Sequence, residues 1–338
     1  MSYQPPYTIT SNILHLIAEI SENLGRLSVL LEQSSNLRLR RINRIRTIQG
    51  SLAIEGNTLT EQQITAILEG KPVIAPPREI QEARNALATY EKLNQWQANN
   101  EQHLLDAHLS LMQGLIDEAG VYRHKGVGVM QGEQVIHMAP PANRVNILMG
   151  DLLNWLKTTP DHALIKSCVF HYEFEFIHPF IDGNGRMGRL WQTLILSQWN
   201  PLFIHIPVES MVYAQQEAYY QALNESTLKS DSAPFIEFML TVILEACHTN
   251  TPQEAPQVTP QVFKLLNIIK GEMSREQLQG VLELKDRKSF RERYLIPALS
   301  DGLIEMTLPD KPNSSLQKYF LTTSGKQLLK GKGGDFYF

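Results

Sequence analysis

The segment His178-Pro179-Phe180-Ile181-Asp182-Gly183-Asn184-Gly185-Arg186-Met187-Gly188-Arg189 joins two apolar runs that read as helices over about 162–177 and 185–199. It gathers an imidazole, a carboxylate, a glycine-rich turn and two guanidinium groups into less than the length of one ordinary helix. Glycines at 183 and 185 let backbone N–H groups converge on an anion with no Cβ in the way. The second run is mostly buried in character and is stopped by Asn200-Pro201. The turn therefore feeds the positive end of a helix, where phosphate is favoured. Asp182 stands before that helix and suits a cation that phosphates share. Arg186 and Arg189 are three apart, so both can face one ligand. These parts suit a site that holds a nucleoside triphosphate with its metal and removes a proton beside it.

Around this segment the first 250 residues read as an α-helical bundle. Ile13, Leu14, Ile17, Ile20, Leu24 and Leu27 recur at helical spacing, and Ile42, Ile45, Ile48 and Leu52 continue the pattern over 37–54. Between them Arg38, Arg40, Arg41, Arg44 and Arg46 read as a solvated basic face. Thr60 with Gln63 forms a capping box that opens a short helix ending at Gly70. Further helices are expected over about 78–98, 101–118, 143–158, 209–227 and 234–248. One β exception, 127–138, has two β-prone runs about a Gly-containing turn and reads as a hairpin.

The Pro/Gln-rich run from Thr251 to Pro260 reads as a stiff linker. Beyond it, helices over 262–269, 275–282 and 287–300 are followed by two β-prone runs, 303–307 and 317–321. Three helices and a hairpin resemble a winged helix, with Asp286, Arg287, Lys288, Ser289 and Arg291 at the start of its recognition helix. The domain reading is thus 1–100 as an N-terminal helical region, 101–250 as a catalytic core, 251–261 as linker and 262–332 as a winged-helix-like domain. Residues 256–338 hold 13 Lys and Arg against 9 Asp and Glu, which leaves 18 against 26 of the chain's 31 and 35 for residues 1–255. A basic module on an acidic body permits contact with DNA or with a protein without requiring either.

The start, Met1-Ser2-Tyr3-Gln4-Pro5-Pro6, lacks the pattern of a signal peptide. The most apolar stretch, around Phe238 to Ala246, is interrupted by Glu245 and falls short of the roughly 18 residues of a membrane span. Cys168 and Cys247 sit in apolar helices without ligand spacing and read as reduced core thiols. A cytoplasmic protein with no membrane partner is expected.

The pattern His-Pro-Phe-x-Asp/Glu-Gly-Asn-Gly-Arg-x-x-Arg is matched at every specified position of 178–189. The chain here resembles the Fic family, whose members transfer a nucleotide monophosphate, usually AMP from ATP with Mg2+, to a protein hydroxyl. The resemblance implies a mainly α Fic-type bundle with a β-hairpin flap. It also implies that His178 is the general base and that Asp182 binds the metal. Gly183, Asn184, Gly185, Arg186, Met187, Gly188 and Arg189 are the expected ATP-binding run, with Arg189 on the γ-phosphate. Val127, Gly128, Val129 and Met130 fall in the flap, which pairs with the extended target segment. Tyr219 and Tyr220 form an aromatic pair of the kind that relatives place beside adenine.

A second segment, Ser51-Leu52-Ala53-Ile54-Glu55-Gly56-Asn57, puts Glu55 in the last turn of its helix, where the macrodipole disfavours a carboxylate. A cationic partner elsewhere is implied. The segment resembles the Fic inhibitory motif Ser/Thr-x-x-x-Glu-Gly/Asn, by which Glu55 pairs with Arg189 and Ser51 supports the pair. The leading expectation is a self-inhibited protein adenylyltransferase acting on protein hydroxyls, its own included. A de-AMPylase, another Fic-type transferase and a nucleotide-sensing winged-helix DNA-binding regulator stay open, as does a homodimer.

Overall fold

The computed structural model describes residues 3–33, 37–131, 134–249, 259–284, 286–308, 314 and 316–331. The chain divides into two compact units, Met1–Gly25 with Asn43–Asn250 and Arg26–Ile42 with Thr251–Phe338. Residues 43–250 thus fall in one unit that holds both the 51–57 segment and the expected core.

The larger unit is helical, as expected. Its elements in chain order are the part of α1 Ser11–Gln33 up to Gly25, the part of α2 Leu37–Ile54 from Asn43, α3 Glu61–Leu68, α4 Pro77–Glu91 and α5 Glu101–Met112. Then come the hairpin strands β1 Gly128–Gln131 and β2 Gln134–Met138. Helices α6 Val145–Thr158, α7 Ala163–Ile177, α8 Asn184–Trp199, α9 Val208–Ala214, α10 Gln216–Lys229 and α11 Ala233–Thr249 complete it. Helices α7 and α8 form its centre. Phe170, Phe174, Met187, Leu190 and Trp191 are all fully buried, so each helix is covered on nearly every side. The N-cap of α3 is the expected capping box of Thr60 and Gln63.

Three helices differ from expectation. The one expected over 78–98 ends at Glu91, with a separate 3-10 turn at Leu93–Gln95. The helix expected over 101–118 stops at Met112, and the one expected over 209–227 breaks at Gln215 into α9 and α10. At the break the Gln215 N–H bonds to Met211 and Val212 carbonyls, closing α9 before α10 begins. In the hairpin Val129 faces His137 and Met130 faces Val135, so a bulge lies between 129 and 130. Val127 precedes β1, and the turn residues 132 and 133 lie outside the described residues.

Besides the remaining parts of α1 and α2, the smaller unit holds short helices and a small set of strands. They are α12 Pro260–Ile268, β3 Met273–Ser274, α13 Arg275–Val281, α14 Arg287–Phe290, α15 Ile296–Ser300, β4 Ile304–Met306, β5 Lys318–Leu321 and α16 Thr323–Gly331. A π-helical turn, Arg291–Leu295, carries α14 into α15. The strands form an antiparallel sheet in the order β3-β5-β4. Leu265, Leu266, Leu278, Phe290 and Ala298 fill the core beneath it at 0% exposure. Strand β3 and helix α16 are additions to the sequence reading, and most of the expected linker, 251–258, lies outside the described residues.

Candidate active site

Helix α7 ends at Ile177 and its C-cap, His178, adopts the left-handed conformation with φ 51° and ψ 60°. That region costs a non-glycine residue roughly 1–2 kcal/mol, so surrounding contacts must hold it. The His178 N–H still bonds back to the Phe174 carbonyl at 2.9 Å. Phe180, fully buried, anchors the loop by stacking on His108 with centroids 3.6 Å apart. Asn184 closes the loop: its Oδ1 accepts from Phe180 N–H at 2.9 Å and its Nδ2 donates to the Phe180 carbonyl at 2.8 Å. Its side chain is therefore committed to the turn, and its backbone N–H is what it offers to a ligand.

Gly183 is the N-cap of α8 at φ 84°, a conformation that favours glycine, and no side chain caps this helix end. The first-turn N–H groups of Asn184, Gly185 and Arg186 are thus left without a side-chain cap, an arrangement that favours an anion. Met187 is fully buried in the core. Gly188 has a packing reason: a Cβ there would lie 2.5 Å from Glu175 Oε1 and 2.8 Å from His171 Cδ2.

The structure brings Glu55 and Arg189 together. Glu55 Oε1 accepts from Arg189 Nη2 at 2.7 Å. Arg189 Nη2 also donates to the Ser51 carbonyl at 2.9 Å, and its Nε to Ser51 Oγ at 3.3 Å. The Arg189 side chain is 2% exposed and that of Glu55 33%. Burial works against the Arg189 charge, but Glu55 outweighs it, with Tyr219 and Glu175 adding to the rise, so the guanidinium is held above its ordinary value. Glu55 lies one residue past α2, in a turn closed by Gly56 at φ 87°. A Cβ at Gly185 would overlap Glu55 Oε1, so that glycine lets the carboxylate sit on α8.

Asp182 stands at the rim. Its Oδ1 accepts from Gly183 N–H at 2.6 Å and from Arg186 Nη2 at 3.2 Å. Arg78 of α4 reaches its Oδ2 at 3.3 Å, and Glu82, one turn further along α4, lies 3.5 Å from Arg186 Nη1. Glu82 also accepts from Asn57 Nδ2 at 2.9 Å, which ties the end of the 51–57 segment to α4. Among the described residues no cluster of three or more His, Cys, Asp or Glu could hold a metal on its own. One half-exposed carboxylate beside an anion seat nevertheless fits Mg2+, which takes one or two protein carboxylates and completes its shell with phosphate and water.

The structure separates the two tyrosines. Tyr219 is a core side chain, 2% exposed, bonded to His171 Nε2 at 3.1 Å and packed on Phe235 and Phe238. Tyr220 is half-buried, and both tyrosines lie within the electrostatic field of Glu55 and Arg189. In the flap the backbone ladder is as expected, and Val127 sits at its root rather than in it.

Several residues at this site escaped the sequence reading. His108 accepts the Gly120 N–H at Nδ1, 2.8 Å, so its Nε2 hydrogen points to the Asp182 carbonyl at 3.0 Å. Burial lowers its pKa to about 4 and keeps it neutral in that role. Burial raises Glu175 to about 8, opposed by Arg189 and reinforced by Glu55. The Arg78/Glu82 pair, four apart on one helix, was visible as spacing but not as a partner of the loop.

A helical bundle thus presents an imidazole, a carboxylate and an uncapped helix N-terminus in one loop, an arrangement that favours an anion. Residues 98–196 match the Fic/DOC family, and residues 260–322 match the C-terminal domain of the Fic-like "filamentation induced by cAMP" proteins. A crystal structure of a Fic family protein from Desulfovibrio desulfuricans G20 is 55% identical, with a TM-score of 0.75, covering 95% of this chain and 99% of that one. The chain belongs to the Fic family. It is also similar to the protein adenylyltransferase Fic of Nematostella vectensis, 30% identical over 57% of this chain and 45% of the relative. For the protein of the same name from Drosophila mojavensis the values are 27%, 68% and 47%. The chain spans less than half the length of these two curated relatives.

Proposed function

We propose that this chain is a protein adenylyltransferase that transfers AMP from ATP to a protein hydroxyl, itself included, and is inhibited by its own α2. The pairing of Arg189 with Glu55 at 2.7 Å carries the reading, because it occupies a buried cation at the end of an anion seat. The names of the curated relatives support the reaction class.

In this reading the N–H groups at the start of α8 and the Arg186 guanidinium hold the α- and β-phosphates, and Arg189 holds the γ-phosphate once Glu55 withdraws. His178 takes the proton of the incoming hydroxyl, its imidazole being the base of the loop suited to neutral pH. Mg2+, held by Asp182 with the phosphates, would neutralise charge as it develops. Tyr220 is the aromatic side chain for the base of the nucleotide. The hairpin receives an extended target segment by strand addition, which orients its hydroxyl toward His178.

The test is to incubate the protein with ATP labelled at either the α- or the γ-phosphate and look for labelled protein. Label from the α-phosphate alone is expected. Label from the γ-phosphate alone would make the chain a phosphotransferase and overturn the assignment.

A further inference from the structure

Arg123, at the foot of the hairpin, is 3% exposed. Its four side-chain hydrogen bonds all end on backbone carbonyls. Nε donates to the His178 carbonyl at 2.7 Å and Nη2 to Ile177 at 3.2 Å, while its own backbone N–H takes the Pro179 carbonyl at 2.9 Å. Three consecutive carbonyls around the left-handed His178 thus end on one residue. The same guanidinium reaches the hairpin at both roots, the Lys125 carbonyl at 2.9 Å before β1 and the Pro140 carbonyl at 2.6 Å after β2.

These acceptors explain why a cation is buried here. The last carbonyls of α7 lack intrahelical donors and form its negative end, which a guanidinium satisfies. Only a planar fork with five N–H donors reaches the helix end and both hairpin roots together; an ammonium offers three donors from one point. Burial lowers the Arg123 pKa from its high ordinary value, and the group keeps its charge.

We propose that Arg123 is a positioning residue that makes the His178 backbone and the hairpin one body. The proposal rests on the functional reading above, in which the imidazole is the base and the hairpin receives the target. Arg123 then sets how the hydroxyl meets the base and leaves the nucleotide seat on α8 untouched, since none of its bonds goes to that helix.

The test uses the full chain carrying Glu55→Gly, with Arg123→Lys and Arg123→Gln added separately. ATP affinity is measured by calorimetry, AMP transfer with α-labelled ATP at saturation, and amide hydrogen exchange over 124–141 and 174–180. ATP affinity is expected to stay within about twofold, while transfer falls by about tenfold or more through lost orientation. Exchange should accelerate in both segments together. Transfer close to that of the parent, loss of ATP affinity in step with transfer, or faster exchange in one segment alone would each overturn the proposal. A Glu55→Gly parent that incorporates no label would instead sink the functional reading, and the exchange arm would still decide whether Arg123 couples the two segments.

Discussion

Replacing Glu55 by glycine removes the carboxylate that sits 2.7 Å from Arg189 and leaves a buried guanidinium with Ser51 as its remaining partner on α2. Opposite charges about 4 Å apart attract by about 4 kcal/mol at the effective dielectric of a partly wet site. Removing one partner of a buried pair costs about 3–5 kcal/mol, because the other charge is left uncompensated. Since a third of the Glu55 side chain is exposed, solvent screening places this pair at the low end. If that free energy is what holds Arg189 from the γ-phosphate, about 3 kcal/mol at about 1.4 kcal/mol per decade corresponds to about a hundredfold gain in transfer.

Two readouts must move together. Self-labelling from α-labelled ATP should rise about a hundredfold in Glu55→Gly and return to the basal rate when Arg189→Ala is added. Without nucleotide the variant should melt several degrees below wild type, and ATP should raise its Tm more, since a phosphate now replaces the missing charge. A variant that melts lower but transfers no faster would refute the reasoning, because the pair would then stabilise the fold without controlling the site.

His178→Ala should abolish transfer with ATP affinity unchanged, read by label incorporation and calorimetry on one preparation; full activity would remove the imidazole from the mechanism. Gly50→Ala would place a Cβ 2.7 Å from Ser210 N and 2.8 Å from the Glu209 carbonyl, both backbone, so thermal melting should report a loss of about 1–3 kcal/mol as α2 is forced from α9. Glu175→Gln should grow more stable relative to wild type between about pH 5 and pH 8. Because burial raises the carboxyl pKa, the folded state keeps a proton that the unfolded state has lost above its ordinary value of 4.5. Wild-type stability therefore falls toward pH 8, by at most about 1.4 kcal/mol for each pH step of one, while the amide stays neutral. Melting curves of both proteins across that range check the sign, and parallel pH profiles would count against it.

The loop from 178 to 189 was legible because its chemistry is local: a base, an acid, two glycines and two arginines need no tertiary information to be associated. Glu55 was legible for a related reason, as an acid at the unfavourable end of a helix points to a cation elsewhere. The contacts that hold the loop were not. His108, Arg123, Arg78 and Glu82 each lie 55 or more residues from the loop atoms they contact, and nothing in their own neighbourhoods marks them. Tyr219 and Tyr220 show the limit of a local pattern. Adjacent helical residues point about 100° apart, so a Tyr-Tyr pair does not share one face, and the structure buries one of them. The break at Gln215 was hidden because glutamine is an acceptable helix residue, and the end of α9 is set by bonds to Met211 and Val212 rather than by a proline or glycine.

In the proposed function Arg189 is the controlled residue, and the charges around it suit that role. Two carboxylates act on one buried guanidinium, and burial keeps the inner one, Glu175, protonated up to about pH 8. Burial thus favours the neutral form of Glu175 and leaves Glu55 as the carboxylate bonded to Arg189. In the proposed function a γ-phosphate takes the place of Glu55 on Arg189, because two anions on one guanidinium would repel each other. Glu55 is the partner that can leave: it lies past the end of α2, a third exposed, whereas Glu175 is fixed inside α7 against Gly188. In the proposed function, exchange of one anion for another at a buried cation would leave the core undisturbed, so inhibition would be set by a side chain and a turn rather than by rearranging the bundle.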